Sequence, residues 1–202
     1  MNRKNALTLA LGAVVLAFGS AAQAVPVFAD SFDANVLGLN AVPTGWSVSD
    51  GTVDIIGNNF SGTSFDLLPG HGAYIDLDGS TANSGLLFTT LNLTGGTQYT
   101  AAFDLAGSQR GGQESGTVSF GYSLLNYSLA SAAGFSAYTM SFTPATTGQY
   151  LLAFQNADGN NIGALLDNVA VTAAVPEPGT YALLAAGLLA IGFVSRRRKN
   201  AA

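Results

Sequence analysis

Two aspartates occupy positions where the sequence predicts apolar strand faces, and their carboxylates could hold a cation. Asp30 alternates with the two phenylalanines near it, and Asp167 shares a period of two with Leu165 and Val169. A carboxylate beside a core is costly unless it is paired or bound to a cation, and hard cations prefer oxygen ligands. We therefore predict a structural Ca²⁺ held by Asp30, Asp167 and backbone carbonyls. The alternative is that each carboxylate caps backbone N–H groups at a strand end.

A second candidate site, for a ligand, combines Tyr74, Asp76, Asp78 and Arg110. In the stretch YIDLDG the two aspartates alternate with apolar residues, so we expect them to face away from the core, toward a loop rim. A solvated turn is the first interpretation there, and a second cation site is the alternative. Tyrosine and arginine are residue types that bind sugars. Arg110 lies in the Gly-rich stretch GSQRGGQESG, for which we predict a mobile loop, so a solvated Arg110 side chain is the alternative to ligand binding.

Residues suited to catalysis are few. His71 is the single histidine, the chain contains no cysteine, and no Gly-x-Ser-x-Gly motif occurs. Thiol catalysis and cysteine-based metal sites are therefore excluded. Paired acids for glycoside hydrolysis stay open, because two of the many aspartates could approach each other, but Glu114 is the one glutamate between residues 25 and 174. The sequence favours a protein that is not an enzyme.

The charge of the chain is divided unevenly along its length. Between residues 25 and 174 there are eleven acidic residues and one basic residue, Arg110, which gives this segment a net charge of −10. Such a surface repels nucleic acid and anionic lipid and attracts cations. A role in binding nucleic acid is excluded on this ground.

Short strands must position these side chains, because residues 25–174 show no helical periodicity. Runs of β-branched and aromatic residues alternate with Gly, Asn, Asp and Ser turns, and Tyr99–Leu105 and Val118–Leu124 each present one apolar face. We expect a hairpin around Thr94–Thr97, where two glycines permit a tight turn. Trp46 follows a turn-forming glycine and is predicted to lie in the core. The pattern predicts an all-β, antiparallel sandwich of about 150 residues.

The N-terminus has the layout of a secretory signal peptide. Two cations precede an apolar run from Ala6 to Phe18, and Ala22 and Ala24 form an Ala-x-Ala cleavage pattern. We predict a signal peptide helix over 1–24, handled by the general secretion machinery. An uncleaved N-terminal anchor is the alternative.

The C-terminal segment 175–202 carries three consecutive features. The motif Val175-Pro176-Glu177-Pro178 cannot join a helix or a sheet, because proline lacks the N–H group and restricts its neighbour. An uncharged stretch at about 179–195 follows, near the lower length limit of a transmembrane helix. The cations at 196–199 are typical of a cytoplasmic stop-transfer signal; they are Arg196, Arg197, Arg198 and Lys199.

These three features in order resemble the PEP-CTERM sorting signal of Gram-negative bacteria that make extracellular polysaccharide. The resemblance implies export, a precursor anchored in the inner membrane, and processing by an exosortase that recognises the Pro-Glu-Pro motif. It further implies a final location at the cell surface or in the extracellular matrix. An ordinary C-terminal membrane anchor is the alternative.

The body of the chain resembles the choice-of-anchor C proteins that carry this signal and, more distantly, galactose-binding-like jelly rolls. The segments that carry the resemblance are GTVDIIG, YIDLDGS, GGTQYTAAFDLAG and LLDNVAV. It implies a jelly-roll β-sandwich over 25–174, flanked by the signal peptide helix and the transmembrane helix. We expect an exported, non-catalytic surface or matrix protein that could bind polysaccharide. The alternatives are a secreted polysaccharide hydrolase and a purely structural or adhesion protein.

Overall fold

The computed structural model describes residues 24, 26–62, 64–175, 184–189, 191–192 and 196. The chain divides into two compact units, one formed by Ala24–Ala174 and the other by Met1–Gln23 together with Val175–Ala202. In the second unit the described residues at 184–189, 191–192 and 196 are helical, and Val175 is exposed. Within the described parts of the chain, no helix has the length and hydropathy needed to cross a bilayer.

Most of the predicted sorting features lie outside the described residues. These are the cleavage residue Ala22 with the rest of the signal peptide, the motif residues Pro176, Glu177 and Pro178, much of the predicted helix at about 179–195, and the cations Arg197, Arg198 and Lys199. Ala24 and Arg196 are described, and both are exposed.

The unit Ala24–Ala174 is built from eleven strands, which confirms the all-β prediction. The strands are β1 (Pro26–Asp30), β2 (Ser47–Ser49), β3 (Asp54–Gly57), β4 (Ala73–Asp76), β5 (Leu86–Leu93), β6 (Tyr99–Ala106), β7 (Gln113–Phe120), β8 (Ser123–Ala130), β9 (Ser136–Phe142), β10 (Gly148–Asn156) and β11 (Leu165–Ala173). All of the paired strands run antiparallel to each other.

The strands form two sheets packed face to face, the jelly-roll architecture that the sequence predicts. One sheet has the order β3-β4-β11-β6-β9, with β1 also paired to β11, and the other has the order β2-β5-β10-β7-β8. The first and last strands are therefore neighbours: Asp30 of β1 lies opposite Val169 of β11. We call the two layers the six-stranded and the five-stranded sheet.

The main core fills the space between the sheets, because each strand turns one apolar side inward. It includes Trp46, as predicted, with Phe103 and Phe154 packed edge to face at 5.1 Å. A second, smaller cluster around Ile56 and Tyr74 lies on the outer face of the six-stranded sheet, where phenylalanines and leucines from loops cover it. One end of the six-stranded sheet is thus buried on both faces.

The predicted hairpin around Thr94–Thr97 is wrong. The strands on either side of it, β5 and β6, belong to different sheets, so this segment connects the layers instead of reversing one ribbon. The tight hairpin is that of β7 and β8, where Phe120 pairs with Ser123 across Gly121 and Tyr122. Gly121 has a φ of 57°, the positive value that a type II′ turn needs at its first central residue.

A β-bulge in the last strand reverses the predicted direction of Asp167. The register with β6 shifts just after Asp167, and Asn168 has a φ of 51°. Before the bulge Leu166 faces the main core, and after it Val169 does. Asp167 therefore lies on the outer face together with Leu165, and the prediction that it shares a face with Val169 is wrong, because one extra residue inverts the alternation.

Candidate functional site

A network of buried polar groups closes one end of the sandwich, where loops 77–85, 107–112 and 157–164 meet; we call it the acidic end. Asp76, the last residue of β4, is its centre. The Oδ1 atom of Asp76 accepts hydrogen bonds from the backbone N–H groups of Asp78 and Gly163, each at 3.1 Å. Its Oδ2 atom forms an ion pair with the Arg110 guanidinium.

The prediction of a solvated Arg110 is wrong. Its side chain is only 25% exposed, and besides Asp76 it donates a hydrogen bond from Nη1 to the carbonyl of Asn161 at 2.9 Å. The Arg110 side chain therefore joins three segments: the loop after β6, the end of β4 and the loop before β11. The reason is electrostatic, because burying a carboxylate is costly and an ion pair with Arg110, the one basic residue of this domain, offsets part of that cost.

Asp76 and Asp78 do face away from the main core, but the interpretation as a solvated turn is wrong, since both are almost completely buried. Asp78 accepts hydrogen bonds on Oδ2 from the backbone N–H groups of Asn160 and Ile162, at 2.7 and 3.3 Å. Sequence alternation alone could not reveal this, because the cover comes from a loop about 80 residues further along the chain. Within the described chain, the Oδ1 atom of Asp78 and the Nε atom of Arg110 are buried without a hydrogen-bond partner.

Burial controls the protonation of this end. It raises the pKa of Asp76 to about 7 even though Arg110 acts in the opposite direction. Burial likewise raises the pKa of Glu114, whose carboxylate accepts a hydrogen bond from the Asn156 side chain at 3.4 Å. Asn156 in turn accepts one from the Tyr127 hydroxyl at 3.3 Å. The carboxyl groups here are thus engaged in holding loops and strands together.

Three residues of this network were missed by the sequence reasoning: Asp54, Glu114 and Asn156. Asp54 is paired in register with Asp76 across β3 and β4, and it accepts hydrogen bonds from the backbone N–H and the hydroxyl of Ser80 at 3.2 and 2.7 Å. No local pattern marks these residues, because their partners come from distant segments.

Tyr74 is not available as a sugar platform. Its ring is completely buried in the second apolar cluster and packs against Phe135 at 5.7 Å. Its hydroxyl accepts a hydrogen bond from the backbone N–H of Leu68 at 2.9 Å. The structure thus brings Asp76, Asp78 and Arg110 together and places Tyr74 in a neighbouring apolar layer.

The predicted cation residues Asp30 and Asp167 lie on neighbouring strands but on opposite faces of the sheet. Both carboxylate oxygens of Asp30 already accept hydrogen bonds, from the Trp46 indole N–H and the backbone N–H of Phe32, each at 2.7 Å. Asp167 accepts one from the backbone N–H of Asn168 at 2.7 Å. Burial, reinforced by nearby acids, raises the pKa of Asp167 to about 7.

A shallow groove of about 430 Å³ lies beside Asp30, lined by residues 29–31 and 168–170, and Asp167 is not among its lining residues. Within the described ranges, no three or more His, Cys, Asp or Glu side chains are grouped so as to hold a metal ion. The Ca²⁺ site stays a prediction that depends on two carboxylates and backbone oxygens.

The outer face of the five-stranded sheet has a different character. By the alternation of its strands, the outward side chains include Phe88, Thr90 and Asn92 on β5, Gln149, Leu151 and Gln155 on β10, Thr117 and Ser119 on β7, and Leu124 and Asn126 on β8. None of these side chains is ionisable, although the domain as a whole carries a charge of −10. The face offers amides, hydroxyls and a few apolar groups.

Two rows of this face are aligned across the strands. Gln155, Thr117 and Asn126 lie side by side on β10, β7 and β8, and the Thr117 hydroxyl donates a hydrogen bond to the Asn126 side chain at 3.3 Å. The adjacent row runs from Phe88 to Leu124 through the small side chains of residues 153 and 119. A polar row therefore lies beside a row with apolar ends.

Comparison with known proteins found similarities for both the domain and the C-terminal tail of this chain. Residues 174–199 match the PEP-CTERM protein-sorting motif. No curated protein matches the chain. In structure, the chain resembles the N-terminal tandem of family 22 carbohydrate-binding modules from Paenibacillus barcinonensis, with 12% identity and a TM-score of 0.51 over 82% of this chain and 49% of the other.

Two further structures are similar to this chain over about three quarters of its length. A cyclase from Fischerella sp. TAU aligns with 18% identity and a TM-score of 0.50, over 75% of this chain and 98% of the other. A Clostridium thermocellum xylanase fragment solved with xylohexaose aligns with 16% identity and a TM-score of 0.48, over 74% of this chain. The chain spans 28% of that fragment and about half of the tandem modules.

The fold is therefore that of the jelly-roll carbohydrate-binding modules, which confirms the galactose-binding-like resemblance of the body. The chain carries a PEP-CTERM sorting motif at its C-terminus, and this motif marks it as an exported protein that an exosortase handles at the membrane.

Proposed function

We propose that this protein is a non-catalytic polysaccharide-binding protein of the cell surface or extracellular matrix. The observation that carries the proposal is the uncharged outer face of the five-stranded sheet on a domain of net charge −10. Sugar sites combine apolar contact surface with a few well-placed polar groups. The row of Gln155, Thr117 and Asn126 supplies amides and a hydroxyl for hydrogen bonds, and the neighbouring row supplies Phe88 and Leu124.

The charge of the domain selects among polysaccharides. A net charge of −10 repels polymers that carry carboxylates or sulfates. Hydroxyl groups of a neutral sugar can exchange hydrogen bonds with amides and need no countercharge. A neutral glycan chain lying across the strands is therefore the ligand class that fits this face.

The sorting motif supports such a role, because it indicates export, and an exported domain can meet extracellular polysaccharide. In this proposal the general secretion machinery exports the chain, and the precursor waits in the inner membrane of a Gram-negative bacterium. An exosortase then processes the tail, and the mature domain reaches the surface or the matrix.

The test is binding of purified full-length protein to a glycan array, followed by titration with the best neutral glycan. We expect Gln155→Ala to weaken that binding about tenfold, because one hydrogen bond to the sugar is lost. Gln98→Ala, at an exposed position off this face, is the matched control and should bind normally. Folded protein that binds no neutral glycan would leave a structural or adhesion role. Release of reducing sugar would instead establish the hydrolase alternative.

The Ca²⁺ site at Asp30 and Asp167 is a separate part of the proposal. Burial is the main cause of the raised pKa of Asp167, and repulsion by Asp33, Asp104 and Asp30 adds to it; a nearby cation would offset both. Asp30 would have to exchange at least one of its present hydrogen bonds for the ion. Calorimetric titration after chelation should show Ca²⁺-dependent heat and a higher melting temperature, both reduced in Asp167→Asn. A melting temperature that chelator and Ca²⁺ leave unchanged rejects the site.

A further inference from the structure

The end of the sandwich opposite the acidic end is free of charge. It is formed by loops 94–98, 121–122 and 143–147 and the strand ends beside them, and we call it the uncharged end. Residues 79–103 and 115–157, which supply all three loops, contain no Asp, Glu, Lys or Arg. The eleven acids of the domain all lie in other parts of the sequence, so the two ends differ sharply in electrostatic potential.

The uncharged end exposes a patch of large apolar side chains. Tyr122, at the tip of the β7–β8 hairpin, is 87% exposed, Leu124 is 71% exposed and Leu151 is 43% exposed. The Tyr122 ring contacts Phe142 and Tyr150 edge to face, with centroids 5.9 and 6.2 Å apart. Tyrosine in such a position has an apolar ring and a polar hydroxyl, the combination found where proteins meet the membrane–water boundary.

The first residue of β1 and the last residue of β11 both lie at the uncharged end. Ala173, the last residue of β11, lies opposite Tyr99, and Tyr99 lies opposite Phe142. Two strand spacings, or about 10 Å, therefore separate Ala173 from Phe142, against which Tyr122 packs. At the other terminus, Pro26 pairs with Thr172. The last strand of the domain thus ends close to the apolar patch.

The segment that links the domain to the apolar stretch of the tail is short. Only Val175–Gly179 separate the domain from the apolar stretch that starts at Thr180. Five residues reach at most about 18 Å when fully extended. While the exosortase substrate is held at the membrane, this short tether limits the distance between the uncharged end and the lipid to about that value.

We propose that the uncharged end is a membrane-facing surface of the precursor, with Tyr122, Leu124 and Leu151 in contact with the lipid headgroup layer. The absence of charge on residues 115–157 suits this contact, because any carboxylate here would be repelled by anionic lipid and would be costly to dehydrate. The acids of the domain lie in other parts of the sequence, and several of them are buried. This proposal rests on the sorting motif and does not depend on sugar binding by the five-stranded sheet.

The test uses the lack of cysteine in the chain, which allows a single spin label to be placed at will. The full-length chain, with Tyr122→Cys or with Val36→Cys, is reconstituted in phosphatidylcholine vesicles. Val36 is the matched control because it is also 87% exposed but lies in the β1–β2 loop, which is bridged to β3 of the six-stranded sheet. Collision of the label with oxygen, which concentrates in lipid, is compared with collision with a polar nickel chelate.

We expect the label at position 122 to favour oxygen over the chelate at least threefold more than the label at position 36. Leu124→Cys provides a second reporter in case the label at the hairpin tip disturbs folding. Equal, water-like values at 122, 124 and 36 would overturn the proposal, as would failure of the chain to associate with the vesicles. Protection of position 122 that appears only when glycan or exosortase is added would assign the patch to that partner instead. Glycan binding by the proteins labelled at positions 122 and 36 should be normal, because neither residue belongs to the two rows of the sheet face, and this separates the two tests.

Discussion

The two ends of the sandwich invert the usual distribution of polar and apolar side chains. At the acidic end, Asp76 and Asp78 are buried under loops, where Arg110 pairs with Asp76 and backbone N–H groups bind Asp78. At the uncharged end, Tyr122 and Leu124 are exposed. Buried charges and exposed large apolar groups are both uncommon and each needs a compensating contact. At the acidic end the compensation comes from the chain itself, whereas at the uncharged end we infer that it comes from outside.

The largest effect is expected from replacing Arg110, the one basic residue of the domain. Arg110→Met should lower the free energy of unfolding by about 3–5 kcal/mol near pH 8, because Asp76 is left buried without its partner. Urea denaturation measures the loss. The double variant Asp76→Asn with Arg110→Met should recover most of it. If the single variant is as stable as the natural protein, the ion pair does not hold the acidic end together.

A second test is the pH dependence of stability. The pKa values of Asp76 and Asp167 are raised to about 7 in the folded domain, from an ordinary value of 3.8. The folded state therefore binds protons more tightly than the unfolded state, and the stabilisation that results is complete below about pH 4 and lost as pH rises through about 7. Each carboxyl contributes up to about 4 kcal/mol.

We accordingly expect the melting temperature to be higher near pH 5 than near pH 8. Asp76→Asn and Asp167→Asn should each flatten this profile, whereas Asp50→Asn, which removes an exposed charge, is the control for a general change in net charge. A melting temperature that rises from pH 5 to pH 8 would contradict the assignment of buried, proton-binding carboxyls.

The smallest effect is expected at the β-bulge that directs Asp167 away from the main core. Asn168 has a φ of 51°, and its side chain donates a hydrogen bond to Asp104 at 2.9 Å. Asn168→Val should cost about 1–2 kcal/mol, because β-branched residues are strained in the left-handed region. Asn168→Gly accepts this backbone angle and should cost less. Equal melting temperatures for the two variants would show that the backbone at this position can relax.

The features of the site that depend on neighbouring residues could be predicted from the sequence, and those that depend on distant segments could not. The alternation in YIDLDG correctly predicted that Asp76 and Asp78 face away from the main core, because the direction of a strand side chain is set by its local backbone. Their burial could not be predicted, since the covering loop at 157–164 is distant in sequence. The alternation around Asp167 failed for the local reason that a single bulge residue inverts it.

The sequence by itself determined the all-β class, the jelly-roll resemblance and the sorting motif, because strand periodicity and a contiguous tail are local properties of the chain. It also fixed that one cation accompanies eleven acids in the domain. The tertiary structure alone decided that Arg110 is joined to Asp76 and that the uncharged segments meet at the end where the chain leaves the domain. Both arrangements arise from strand pairing between distant segments, which no local pattern encodes.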